Sequence, residues 1–186
     1  QGGMTFSQDV PDTPAYEAAL AKFGPEGMTT EARLARAKEQ GYAIDNVWYH
    51  GTISDLDEFG KGRARTVGGR VSKGITAFAN DPEVASEYAK DYRKRPKGGD
   101  NVVPVYLKME NPLVIDAQGK GWNQVWGRVL DARDSGSYDG VILQNVADSP
   151  YTTEKISNTA LSFDTANIRS VNAAFDPDFA DSANLL

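Results

Sequence analysis

The fold of this chain is read first from Val47-Trp48-Tyr49-His50-Gly51-Thr52. Val47 to His50 reads as a short apolar strand, and His50 is the only histidine in the chain. A lone histidine more often satisfies a core or surface hydrogen bond. Here it closes a strand and is followed at once by Gly51, where a missing side chain lets another molecule approach the backbone closely. The glycine N–H and C=O can then pair with a planar carboxamide. The imidazole can donate to a ribose hydroxyl, and Thr52 adds a further donor and acceptor. Three successive residues can thus grip a polar ligand with no metal.

Working outward, Thr13-Pro14 opens a helix that runs to about Phe23, a capping side chain followed by proline at the first helical position. Thr30 opens a second, surface-lying helix that stops at Gly41. Asp55–Phe59 reads as a turn or short helix, and 60–73 as a Gly- and Arg-rich loop. Gly74–Ala79 is a strand. Asn80-Asp81-Pro82-Glu83 then starts a helix that continues through Tyr88, and Lys94–Asp100 is a basic loop. Val102–Met109 is a strand rich in branched residues, and Pro112–Ile115 re-enters the sheet. Trp122–Ala132 has Trp122, Val125, Trp126, Val129 and Leu130 at helical spacing, which reads as a core stripe. Further strands are expected at 138–143, 160–163 and 168–170, with a polar surface tail from Phe175. Short strands and few helices out of strict alternation indicate an α+β fold.

The 186 residues are 40% hydrophobic and 25% charged, enough for one domain with a sizeable core. There is no cysteine, which removes disulfides, thiolate nucleophiles and cysteine metal sites. One histidine and scattered acids show no metal-ligand spacing, so no metal is expected. No run of about 18 apolar residues is present, so no membrane span is expected. The net charge of −6 disfavours non-specific nucleic-acid binding. Ten of the basic residues nevertheless cluster between Lys61 and Lys97 among four acids. Gln1-Gly2-Gly3 reads as the remnant of a cleaved expression tag, with 1–12 as a loose lead-in. Beyond it, 13–45 is expected to form an N-terminal helical element, 46–180 the main domain and 181–186 a tail.

Several pieces in order resemble one family. Tyr49-His50-Gly51-Thr52, then Lys73-Gly74-Ile75-Thr76-Ala77-Phe78-Ala79-Asn80, then Tyr88, resemble the ADP-ribosyltransferases of the diphtheria-toxin and poly(ADP-ribose) polymerase type. The likeness is stronger to such domains in phage and prophage polyvalent proteins. Those share Asp81-Pro82-Glu83-Val84-Ala85, Pro104–Lys108, Asn111-Pro112, Tyr138–Ile142 and the closing run from Phe163-Asp164 through Asn167-Ile168-Arg169-Ser170 to Pro177. The resemblance implies a short-stranded, split, mixed or antiparallel sheet with peripheral helices, and nicotinamide adenine dinucleotide (NAD) as substrate. It further implies that His50 bonds the NAD ribose, Gly51 holds the nicotinamide amide through its backbone, and Thr52 assists. Gly74, Ala77 and Phe78 would line the site, and Tyr88 would stack on the nicotinamide ring.

Two positions depart from the family pattern. The strand after Gly74 usually carries a second tyrosine, where Ala77 stands here. The last motif strand usually starts with a glutamate, where Thr159 stands, and a threonine cannot supply a carboxylate to a developing positive charge. Glu154 is the nearest acid that could swing in. Arg63, Arg65 or Arg70 would meet the pyrophosphate, or Arg93-Lys94-Arg95 would select the acceptor. The expected function is an NAD-dependent ADP-ribosyltransferase with a possible NAD glycohydrolase side activity. Single transfer to a host macromolecule is favoured over polymer formation. The acceptor would be a protein rather than nucleic acid, reached in the host cytoplasm by a phage-borne or toxin-like effector. The alternative is a degenerate domain that binds NAD, ADP-ribose or a protein partner without turnover.

Overall fold

The computed structural model describes residues 14–52, 59, 66–67, 70–89, 101–148, 155–183 and 185. In chain order these form α1 (Pro14–Gly27), α2 (Thr30–Glu39), β1 (Trp48–Thr52), β2 (Thr66–Val67), β3 (Arg70–Val71), β4 (Thr76–Ala79), α3 (Pro82–Ala89), β5 (Asn101–Leu107), β6 (Pro112–Asp116), α4 (Trp122–Ser135), β7 (Gly140–Ala147), β8 (Ile156–Ser162) and β9 (Ile168–Ser170). Seven strands make one sheet in the order β6-β7-β8-β4-β1-β5-β9. The β6–β7 pair is parallel and the other pairs are antiparallel. This is the α+β, short-stranded mixed sheet expected of an ADP-ribosyltransferase fold.

Alternation along the strands sends apolar side chains to both faces of the sheet. On one face Val125, Val129 and Ala132 of α4 pack on Ile115, Val141, Leu143 and Leu161. This confirms the stripe from Trp122 as core. On the other face Phe59, Phe78, Val105, Leu107, Ala160, Ile168 and Leu185 form a second cluster. The α1–α2 pair closes one end against the chain that follows β9. Arg33 donates to the carbonyls of Val171 and Ala173, Arg36 to Ala174, and Gln40 to Phe175.

Pro104 in the middle of β5 has a specific accommodation. Its carbonyl accepts from Val171 N–H, so this residue faces the β9 side. Proline has no N–H to return to the Val171 carbonyl. The Arg33 guanidinium supplies that donor instead, at 2.9 Å.

Several expectations are corrected. The polar surface tail from Phe175 inserts two apolar side chains into the core. Phe175 is 2% exposed and packs edge-on to Tyr42, while Leu185 is 2% exposed in the second core cluster. The Leu185 carbonyl also accepts from Ser170 N–H. The 60–73 loop contains the β2–β3 hairpin. The helix expected to end near Phe23 continues to Gly27 through a kink at Gly24, whose φ is 66°. The strand read at 160–163 begins at Ile156.

Much of the family pattern turns out to be scaffold. The Asp139 carboxylate accepts from the N–H groups of Glu110 and Asn111, and the Asn111 side chain donates to the Ser137 carbonyl. Arg169, buried in β9, spends its guanidinium on the carbonyls of Ala166, Ile168, Phe179 and Ala180. These bonds fix β6, β7 and the tail around the sheet.

Candidate active site

The sheet comes apart between β1 and β4. The two strands share one register pair, Tyr49↔Ala79. In an antiparallel ladder, hydrogen-bonding direction alternates residue by residue. Pro104 faces β9, so its β1 partner Tyr49 faces away from β5, and so does Gly51 two residues on. Gly51 therefore turns its N–H and C=O toward β4, where the next exchanging partner would be Ala77. That pair does not form. One backbone donor and one backbone acceptor stand side by side at the notch where the strands part.

Gly51 is glycine for a second reason, which sequence reasoning did not supply. A Cβ there would lie 1.8 Å from the Ala85 carbonyl oxygen and 2.9 Å from Ala89 N. Helix α3 lies directly on the β1 backbone and fills the space a side chain would need. The helix is started by Asp81, whose carboxylate accepts from Glu83 N–H at 2.8 Å, with Pro82 in the first turn.

His50 bridges the notch. Its Nδ1 lies 2.9 Å from the Ala77 carbonyl oxygen, the group left over by the missing ladder pair. A carbonyl only accepts, so Nδ1 carries the proton. The ring packs edge-on to Phe59 at 4.9 Å and tilted against Phe78 at 5.6 Å. Burial pushes the imidazole pKa below its ordinary 6.5, partly opposed by the Ala77 bond. The neutral ring therefore offers Nε2 as an acceptor. With Nδ1 engaged by the Ala77 carbonyl, Nε2 is the ring nitrogen left to meet a ligand, as an acceptor where the sequence reading has a donor.

That depressed pKa has a stability consequence. The unfolded chain takes up a proton at His50 before the folded chain does. The contribution is fully present above pH 6.5 and is lost as pH falls through the lowered folded value. Thermal melts of His50→Gln should accordingly fall off less steeply below pH 6.5 than those of the unsubstituted chain.

The remaining candidates are placed as follows. Thr52 pairs with Asn101 at the end of β1. Gly74, with φ 79°, makes the left-handed turn into β4. Ala77 is exposed, and Phe78 is buried under His50. Tyr88, 40% exposed, lies in the last turn of α3 beside Ala89. Thr159 pairs with Ala79 and is 1% exposed, so it presents no surface to a ligand. Arg70, one of the pyrophosphate candidates, is instead held by Asp131 at 2.7 Å and Asp134 at 2.5 Å on α4. Arg63, Arg65, Arg93, Lys94, Arg95 and Glu154 lie outside the described residues. A groove of about 540 Å³ lies at the far end of β4, lined by Asn80, Asp81, Asn145 and Ser157.

One residue was missed by sequence reasoning. Asp148, just past β7, accepts hydrogen bonds from the Tyr88 phenol and, at 3.2 Å, from the Thr159 hydroxyl. It brings a carboxylate to the strand position where the glutamate was expected. Nothing local marks it, because its partner Tyr88 is 60 residues away in the chain. Among the described residues no cluster of His, Asp and Glu has metal-holding geometry. No described helix is long and apolar enough to cross a membrane.

A split mixed sheet, a histidine-bridged notch and a helix-borne tyrosine together define an ADP-ribosyltransferase architecture. The sequence pattern described as "ADP-ribosyltransferase in polyvalent proteins" matches residues 38–177. The chain belongs to that family, whose members are transferases using NAD as substrate. Comparison with curated proteins and with solved structures gave no match.

Proposed function

We propose that this chain transfers single ADP-ribose units from NAD to a macromolecule of a host cell, acting in the host cytoplasm as a phage-borne or toxin-like effector. The observation that carries the NAD reading is the Gly51 edge. An adjacent N–H and C=O, unpaired by β4, match the acceptor and donor of a primary carboxamide such as that of nicotinamide. His50 Nε2 accepts from a ribose hydroxyl, and the Tyr88 ring stacks on the nicotinamide. Held this way, the bond between ribose C1′ and the nicotinamide nitrogen breaks and its electron pair leaves with nicotinamide. The acceptor nucleophile bonds to C1′ and gives up its proton. Positioning and stabilisation of the positive charge at C1′ do most of the work. Single transfer is favoured over polymer formation because Thr159 has no carboxylate to orient a sugar acceptor, and the Asp148 carboxylate behind it is buried with both oxygens engaged by Tyr88 and Thr159.

A second reading, a domain that binds NAD without turnover, is favoured by the exposed Ala77, which leaves the notch without a second aromatic wall. Incubation with NAD, with nicotinamide release followed by NMR, separates the two. Release that His50→Ala abolishes supports the transferase. NAD-induced shifts without release support the binding domain. Neither release nor shifts would refute the NAD reading.

A further inference from the structure

Asp148 is 2% exposed. One carboxylate oxygen accepts from the Tyr88 phenol and the other from the Thr159 hydroxyl, while its own N–H donates to the Lys155 carbonyl at 2.9 Å. Both side-chain partners are neutral. Among the described residues no basic nitrogen lies within ion-pair distance of it. The Lys155 ammonium, close in the chain, is taken by Asp81 and Glu83 at 2.6 Å each. Both carboxylate oxygens are thus engaged by hydroxyl donors, in a buried place where solvent screens their polarising effect only weakly. The polarised group is the phenol of Tyr88, the aromatic residue of α3, the helix that lies on Gly51.

A phenol that donates to a carboxylate has a more electron-rich ring, and such a face attracts cations. The two oxidation states of the dinucleotide differ in this respect: the nicotinamide ring is a pyridinium cation in NAD and uncharged in NADH. We infer that Asp148, acting through the Tyr88 phenol, is the residue by which this chain selects the cationic, oxidised dinucleotide over the reduced one. It is a positioning residue, since it touches Tyr88 and Thr159 and not the substrate. The inference rests on the NAD reading above.

The test is calorimetric titration of the unsubstituted chain, Asp148→Asn and Tyr88→Phe with NAD and with NADH, at one pH and salt concentration. Asp148→Asn keeps the size and an acceptor oxygen but replaces the carboxylate with an amide. Tyr88→Phe keeps the ring and removes the link. The unsubstituted chain is expected to prefer NAD by about tenfold. In both variants NAD binding weakens, NADH binding stays, and the ratio falls to about twofold or less. A purely structural role for Asp148 would weaken both ligands alike and leave the ratio intact, which overturns the inference. Equal affinities in the unsubstituted chain overturn it as well. Binding of neither dinucleotide would refute the NAD reading itself, a distinct outcome. Should thermal melts show Asp148→Asn unfolded, the ratio in Tyr88→Phe decides alone.

Discussion

Gly51→Ala should destabilise the chain by about 3 kcal/mol or more. The added methyl would sit 1.8 Å from the Ala85 carbonyl oxygen, 2.8 Å from its carbon and 2.9 Å from Ala89 N. All three are backbone atoms of one helix, so no side-chain rotation relieves the clash. Either α3 lifts from β1 or the strand bends, and both disrupt the Val84, Ala85 and Ala89 packing. At roughly 2–4 °C per kcal/mol for a chain of this size, the melting temperature should drop by about 6–12 °C. Gly74→Ala is the informative contrast. Its Cβ would meet nothing within 4 Å, so only the cost of φ 79° applies, about 1–2 kcal/mol. A Gly51→Ala protein as stable as the parent would mean that α3 is not seated on β1. The notch would then lack the wall that presents Tyr88.

His50→Ala should reduce nicotinamide release by roughly a hundredfold, the equivalent of two lost hydrogen bonds near 1.4 kcal/mol each. One is the Nε2 contact to the ribose. The other is the bond from Nδ1 to the Ala77 carbonyl, which holds the two strand ends at their working separation. Loss of the ring also leaves space beside Phe59 and Phe78, so a fall in stability accompanies the fall in rate. The comparison that isolates the chemistry is His50→Gln, which keeps a polar side chain of similar reach. It should melt closer to the parent than His50→Ala does while remaining strongly impaired in release. A folded His50→Ala protein with undiminished release would remove His50 from the site.

The sequence pattern made the strands legible wherever branched residues ran together, as in β5 and β7. It placed the start of α3 from Asn80-Asp81-Pro82. The N–H and C=O of Gly51 could be guessed from Tyr49-His50-Gly51-Thr52, but not the reason they are free. That depends on Pro104 setting the hydrogen-bonding parity of β5, and on β1 and β4 sharing a single pair. The burial of Phe175 and Leu185 was illegible because the polar residues around them carry the local average. Each apolar side chain is inserted singly into a core built by distant strands. Asp148 was hidden for a similar reason. Sequence search near Thr159 looked for a glutamate on the same strand or the loop before it. The carboxylate arrives from the residue just past the neighbouring strand, β7.

The claim on which all of this turns is that the Gly51 backbone faces an open notch and receives a carboxamide. It is tested most directly by titrating nicotinamide into ¹⁵N-labelled protein and following the Gly51 amide resonance. A saturable shift of that resonance, absent when nicotinic acid replaces nicotinamide, is the predicted result. Saturable shifts elsewhere with the Gly51 amide unmoved would place the ligand at another site and contradict the account.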